Sequence, residues 1–295
     1  MLIRTVLIST LIVLSTKIQA QLPNCNLYHF TIQKASGQYT VKNPLFLTAF
    51  NMDGYNNQVA FFGDDIVYFT TNYYDSSSTE IAKFDLFQKV LERITYTSES
   101  EYSPKPLPSD KSQFSCVRVE ADGVTQTMQT YPLDGLSYGQ RILAGTDNIG
   151  YYAWTDKKSV ALFLVSEPSH QLAIADTESG KKKIVLDKIG RSLIKGNKST
   201  LYFIHKVEDE LWYLKALNID DNRISLVTQM PKGVEDIELL PDGSFLCANG
   251  TMLLRFDPET DTEWGEIANL EPYGLHQITR IAVNKNRLIL VDTKP

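Results

Sequence analysis

The chain has 295 residues, 43% of them hydrophobic and 22% charged, an ordinary globular composition with enough apolar content to bury a sizeable core. It carries 29 basic against 35 acidic residues, a net charge of −6 with the histidines neutral. A surface of that sign repels phosphate backbones and no basic stripe offsets it, so nucleic acid is excluded as a partner.

In chain order, the N-terminus stands apart. Arg4 is followed by the apolar run "VLISTLIVLS" and then by "TKIQA". The run is too short to span a bilayer, and Ile18-Gln19-Ala20 sets a small residue at a cleavage position. This predicts a signal peptide over residues 1–20 and a mature chain starting at Gln21, exported to the periplasm or the extracellular space. No cysteine follows the cut directly, so a lipid anchor is not expected. Cleavage removes Arg4 and Lys17 and takes the net charge to −8. No later segment is apolar for long enough to cross a membrane.

Next comes "NLYHFTIQKASGQYTVKN", Asn26 to Asn43, two strand-like runs joined by a bend at "KASG". A unit of strand, short polar turn and second strand then recurs six times. It reads "NQVAFFGDDIVYFTT" from Asn57, "PKPLPSDKSQFSCVRV" from Pro104 and "GYYAWTDKKSVALFLVS" from Gly150. It returns as "GRSLIKGNKSTLYFIHK" from Gly190, "EDIELLPDGSFLCANG" from Glu235 and "ITRIAVNKNRLILVD" from Ile278. The turns align on Asp64, Asp110, Lys157, Asn197, Asp242 and Lys285, at spacings of 46, 47, 40, 45 and 43. The first five units each continue into a third and a fourth strand, for example "IAKFDLF" and "KVLERIT", with Asp and Gly at the bends.

A period of roughly 40–50 residues with four strands per unit predicts propeller blades. The last unit stops two strands short, and the pair from Asn26 to Asn43 supplies what it lacks. The expected fold is all-β: one six-bladed β-propeller domain over 21–295, built of four-stranded antiparallel blades. The N-terminal strands complete the C-terminal blade and close the ring. Pro104 and Pro106 fit a strand that donates few ladder bonds. "KKK" at Lys181 to Lys183 reads as a solvated strand edge.

The unit "EYSP…PSDK…FSCVRVE…YPLDG", with "LLPDGSFLCANG" and "TMLLRFDPETD", resembles the TolB-like, WD-like propeller repeat over essentially the whole mature chain. "SEYSP", "GYYAWTD…ALFLVSEP", "IGRSL" and "ITRIAV" look like single-domain secreted propellers of Bacteroidetes-type bacteria. Only one blade has an intact "PDG", and the N-terminal domain of TolB is absent. The resemblance implies a binding scaffold and an exported protein; the repeat brings no catalytic residues with it.

In a propeller, the loops leading into each blade share a face with those between second and third strands, and loops on a rigid scaffold carry function. The lead-in segments place Tyr55, Glu101, Tyr102, Asp147, Tyr151, Tyr152, Arg191, Glu235, Asp236, His276 and Arg280 on one rim. Tyrosines interspersed with carboxylates and arginines suit a protein, peptide or glycan ligand. The competing reading is that they plug the channel and pair with one another.

No metal site or cofactor is expected. His29, His170, His205 and His276 fall in different blades without HxH or HExxH spacing. Glu101, Asn148 and Asp236 have the residue types of a lactonase trio, but nothing in their spacing singles them out. No nucleophile elbow is present. Cys116 and Cys247 hold the same register in opposed blades, beyond the roughly 7 Å Cα reach of a disulfide, so both are expected to be core and no intrachain bridge is expected. The leading function is a non-catalytic binding scaffold, monomeric and not membrane-spanning. The alternative is a channel-face enzyme: a metal-dependent lactonase, a lyase or a glycan hydrolase.

Overall fold

A computed structural model describes residues 22–294 except 136 and 137, so the expected leader lies outside the described residues. Its 24 strands form six four-stranded antiparallel sheets. Blade one contains β3 (Asn56–Phe61), β4 (Ile66–Thr71), β5 (Glu80–Asp85) and β6 (Val90–Arg93). Blade two has β7 (Ser100–Pro106), β8 (Gln113–Val119), β9 (Gln126–Pro132) and β10 (Gln140–Ile142). Blade three has β11 (Ile149–Trp154), β12 (Ser159–Leu164), β13 (Gln171–Asp176) and β14 (Lys182–Asp187). Blade four has β15 (Ile189–Lys195), β16 (Thr200–Glu208), β17 (Leu211–Asn218) and β18 (Ile224–Gln229). Blade five has β19 (Ile237–Leu239), β20 (Phe245–Asn249), β21 (Met252–Phe256) and β22 (Gly265–Asn269).

Blade six joins the two ends of the chain. Its order is β2-β1-β24-β23, from β1 (Cys25–Ala35), β2 (Gln38–Phe46), β23 (Ile278–Asn284) and β24 (Arg287–Thr293). The β1–β24 register runs from Cys25 opposite Thr293 to Thr31 opposite Arg287. The ring therefore closes as the repeat arithmetic requires.

Second strands are the most apolar because both of their faces are covered by neighbouring blades. The core consequently lies between sheets. Leu27, Val67, Phe69, Ile289 and Val291 join blades six and one, and Phe30, Leu246, Leu253 and Leu290 join blades five and six. Cys116 and Cys247 are fully buried in blades two and five, and Cys25 is buried at the closing joint. Fourth strands are exposed edges; Lys182 and Lys183 begin β14 facing solvent.

The tight first-to-second-strand turns are made by side chains folding back on the backbone. Asp110 accepts the Ser112 amide at 2.9 Å, and Asp156 accepts the amides of Lys158 and Ser159 at 2.7 and 2.8 Å. Among the described residues, no helix is long and apolar enough to cross a membrane.

Candidate functional site

The first strands ring the axis, and five of the six carry an irregularity in their pairing with the second strand. In β7, Tyr102 faces Val117 but Lys105 faces Ser115, so three steps on one strand match two on its partner. Ser103 absorbs the extra residue at φ +55°, as Gln58 does at φ +54° in β3. The bulge resets the alternation: Tyr102 and Lys105 share a side, and Glu101 points the other way.

The result is a small axial cavity of about 110 Å³, lined from all six blades and including Gln58, Lys105, Tyr151, Arg191, Asp236, Glu238 and Arg280. A second pocket of about 320 Å³ lies beside it on the lead-in face, between blades four, five and six, and shares Arg191, Asp236 and Arg280 with it. Arg280 donates to the Tyr151 hydroxyl at 3.0 Å, lies 5.0 Å over that ring, and keeps Asp236 at 3.8 Å. Asp236 accepts the Ile281 amide, which ties blade five to blade six. Arg191 donates to the Thr279 carbonyl at 2.9 Å. Glu235 takes the Arg191 amide at 3.0 Å and the Lys206 ammonium at 2.8 Å.

Burial dominates the titration of the deeper groups. It raises the Asp236 carboxyl, pushes Glu238 up to about 7, and lowers Lys105. Glu235 differs: burial works against its charge, but Lys206 and Arg191 outweigh it and hold the carboxyl below its usual range.

The structure places the predicted rim residues in several settings. Tyr151, Arg191, Asp236 and Arg280 line the axial cavity, whereas Tyr102 packs against the core between blades with Tyr55, buried, in an edge-on contact at 6.4 Å. Tyr152 borders the cavity, but its hydroxyl is spent on the Ser103 carbonyl and the Ser115 hydroxyl, at 3.0 and 2.9 Å. His276 is half exposed farther out, held by the buried Asp292 at 3.0 Å.

Glu101 is not on the rim. It is fully buried, bonded by the Thr97 hydroxyl at 2.5 Å and the Tyr131 hydroxyl at 3.2 Å, and burial raises its carboxyl to about 8. Of the Glu101, Asn148 and Asp236 trio, Asp236 alone lines the cavity. Lys105 and Glu238, the two charges deepest in the cavity, went unnoticed in the sequence because they lie inside strands rather than in lead-in loops. Among the described residues, no group of three or more His, Cys, Asp or Glu side chains converges as a metal site would.

No protein-family profile matches the chain, and no curated protein is similar in sequence. The fold is that of a six-bladed β-propeller, and solved TolB structures are among those that share it. A protein assigned as TolB from Agrobacterium tumefaciens superposes with a TM-score of 0.69 at 9% identity, covering 92% of this chain and 99% of that one. A chain of the nidogen/laminin complex does so at 0.63 and 12% identity, covering 88% and 97%. An oligogalacturonate lyase in complex with manganese matches at 0.52 and 15% identity, covering 89% and 77%. At these identities the likeness concerns the fold alone.

Proposed function

We propose that the protein is an exported, non-catalytic scaffold that binds a protein or peptide on its lead-in face. The observation that carries this reading is the channel mouth. There Arg191 and Arg280 border two adjoining cavities without a carboxylate in direct hydrogen-bonded contact with either guanidinium. Half-buried Tyr and Arg side chains of this kind anchor interfaces. The apolar leader supports export, and intact-mass analysis of the secreted protein is expected to give a chain starting at Gln21; retention of Met1 to Ala20 would defeat that part.

The test of the site is partner capture from the native envelope fraction. Replacing Tyr102, Tyr151 and Arg191 by Ala is expected to weaken capture by about thirtyfold, the effect of losing roughly 2 kcal/mol. Replacing Lys157, Lys198 and Lys285 on the opposite face is expected to leave it unchanged. The reverse result would move the site to the other face.

A channel-face enzyme is the second reading, favoured by one feature: Glu238 sits inside the cavity with its carboxyl raised to about 7, within the range of a general base. Turnover of an oligouronate that disappears in Glu238→Gln would establish it in place of the scaffold.

A further inference from the structure

We infer that the anchor of the ligand is a carboxylate of an acidic peptide segment, seated between Arg191 and Arg280 at the channel mouth. This rests on the reading of the lead-in face as a binding site.

A guanidinium offers five N–H donors in a planar fork that matches both oxygens of a carboxylate. Arg191 spends Nη2 on the Thr279 carbonyl, its Nε is buried without a hydrogen-bond partner, and its nearest carboxylate oxygen, on Glu235, is 3.9 Å from Nη1. Glu235 is committed elsewhere, to Lys206 and to the Arg191 amide. Arg280 spends Nη2 on Tyr151 and lies 3.8 Å from Asp236, whose other oxygen takes the Ile281 amide. Neither arginine has the two parallel bonds that it can make, and both border both cavities. An incoming carboxylate would complete them without breaking an existing direct bond.

Three features choose among anions. The chain is acidic overall, which disfavours a polyanion approaching as a rod of charge. A sugar acid would want an open ring face, whereas the rings here already pack on neighbours. Tyr55 and Tyr102 meet edge-on, and Tyr151 is flanked by the Arg280 guanidinium at 5.0 Å and by Phe163 edge-on at 5.5 Å. The adjoining pocket is lined in part by Asn249 and Gln277, whose side-chain amides suit a peptide main chain.

The probe is a fluorescein-labelled, C-terminally amidated Gly-Ser peptide with three central glutamates, compared by anisotropy with its glutamine twin. Unlabelled trigalacturonate serves as the sugar-acid competitor. The glutamate peptide is expected to bind at least about tenfold more tightly than the twin at low salt, with the advantage shrinking in 0.5 M NaCl. Arg191→Gln and Arg191→Lys are both expected to remove that advantage while melting like the parent, because lysine keeps the charge and loses the fork. Equal binding of the two peptides, or a glutamate preference that survives both substitutions, would overturn the inference. So would trigalacturonate displacing the peptide at lower concentration than the unlabelled peptide does. If the glutamate preference is absent or survives both arginine substitutions while Tyr151→Ala weakens both peptides equally, the lead-in site stands and only the carboxylate anchor falls. If no mouth substitution alters either peptide, both fall.

Discussion

The hairpin face and the channel mouth handle charge in opposite ways. On the hairpin face, charges are short-range and satisfied, and several clamp neighbouring blades together. Lys285 pairs with Asp64 at 2.6 Å and Arg287 with Asp65, linking blade six to blade one. Lys34 and the Tyr39 hydroxyl both meet Asp242 at 2.6 Å, linking blade six to blade five. At the channel mouth Arg191 and Arg280 keep their carboxylates at 3.9 and 3.8 Å and hold donors in reserve. Paired, exposed charges solvate well and leave little to gain from a partner, whereas half-buried and incompletely bonded ones do not. The number of charges on a face thus says less about binding than whether those charges are already spent.

The largest effect bears on the ring that holds both faces. Deleting Asn26 to Asn43 removes the fully buried Leu27 and Phe30 and strips β24 of its outer partner, leaving only β23 beside it. Each such side chain is worth ~1.5–3 kcal/mol against a total stability of roughly 5–15 kcal/mol, so the truncated chain is expected to lose its cooperative melt. A truncation that melts like the parent would mean that the joint does not hold the faces together.

Next in size is the pH dependence of stability. Burial raises the carboxyls of Glu101 and Glu238 to about 8 and about 7, whereas in the unfolded chain both titrate near 4.5. The folded state therefore holds the extra protons between those values. Stability is greatest below about 4.5 for these groups, falls as pH rises through the window, and is flat above it. The slope is roughly 1.4 kcal/mol per pH unit for each group. Glu101→Gln, which keeps a neutral side chain of the same shape, is expected to flatten the melting profile between pH 5 and 8. An unchanged slope would show that Glu101 is ionised in the fold.

A smaller effect separates the faces directly. The Tyr102, Tyr151 and Arg191 substitutions are expected to lower capture with little change in melting. The smallest comes from Lys285→Ala: its pair is exposed on both sides, and neither melting nor capture is expected to move measurably. A clear loss in either would mean that the hairpin face does more than clamp blades.

The fold was legible because its signal is periodic. Six polar turns recur at nearly constant spacing, and the two missing strands of the last unit could be recognised by subtraction. The site was legible only in part. The lead-in loops were located, and of the candidates Tyr151, Tyr152, Arg191, Asp236 and Arg280 line the axial cavity. Glu101 was misplaced on the rim, and its relation to Lys105 shows why strand alternation would not have corrected it. In an unbroken strand they would lie on the same side, but the bulge at Ser103 inserts a residue between them and reverses the parity. A serine at positive φ carries no signature as readable as a glycine, so the side that faces the axis was hidden.

The closing joint has a mechanical consequence. Strands β1 and β24 are antiparallel neighbours, and the Lys294 amide donates to the Asn24 carbonyl at 2.9 Å, so the two ends of the described segment leave from the same end of one ladder. A force drawing those ends apart loads the ladder bonds one after another rather than all at once. Pulled in that direction the ring peels open at blade six under a low force, while the same strands pulled lengthwise past each other would resist as a unit.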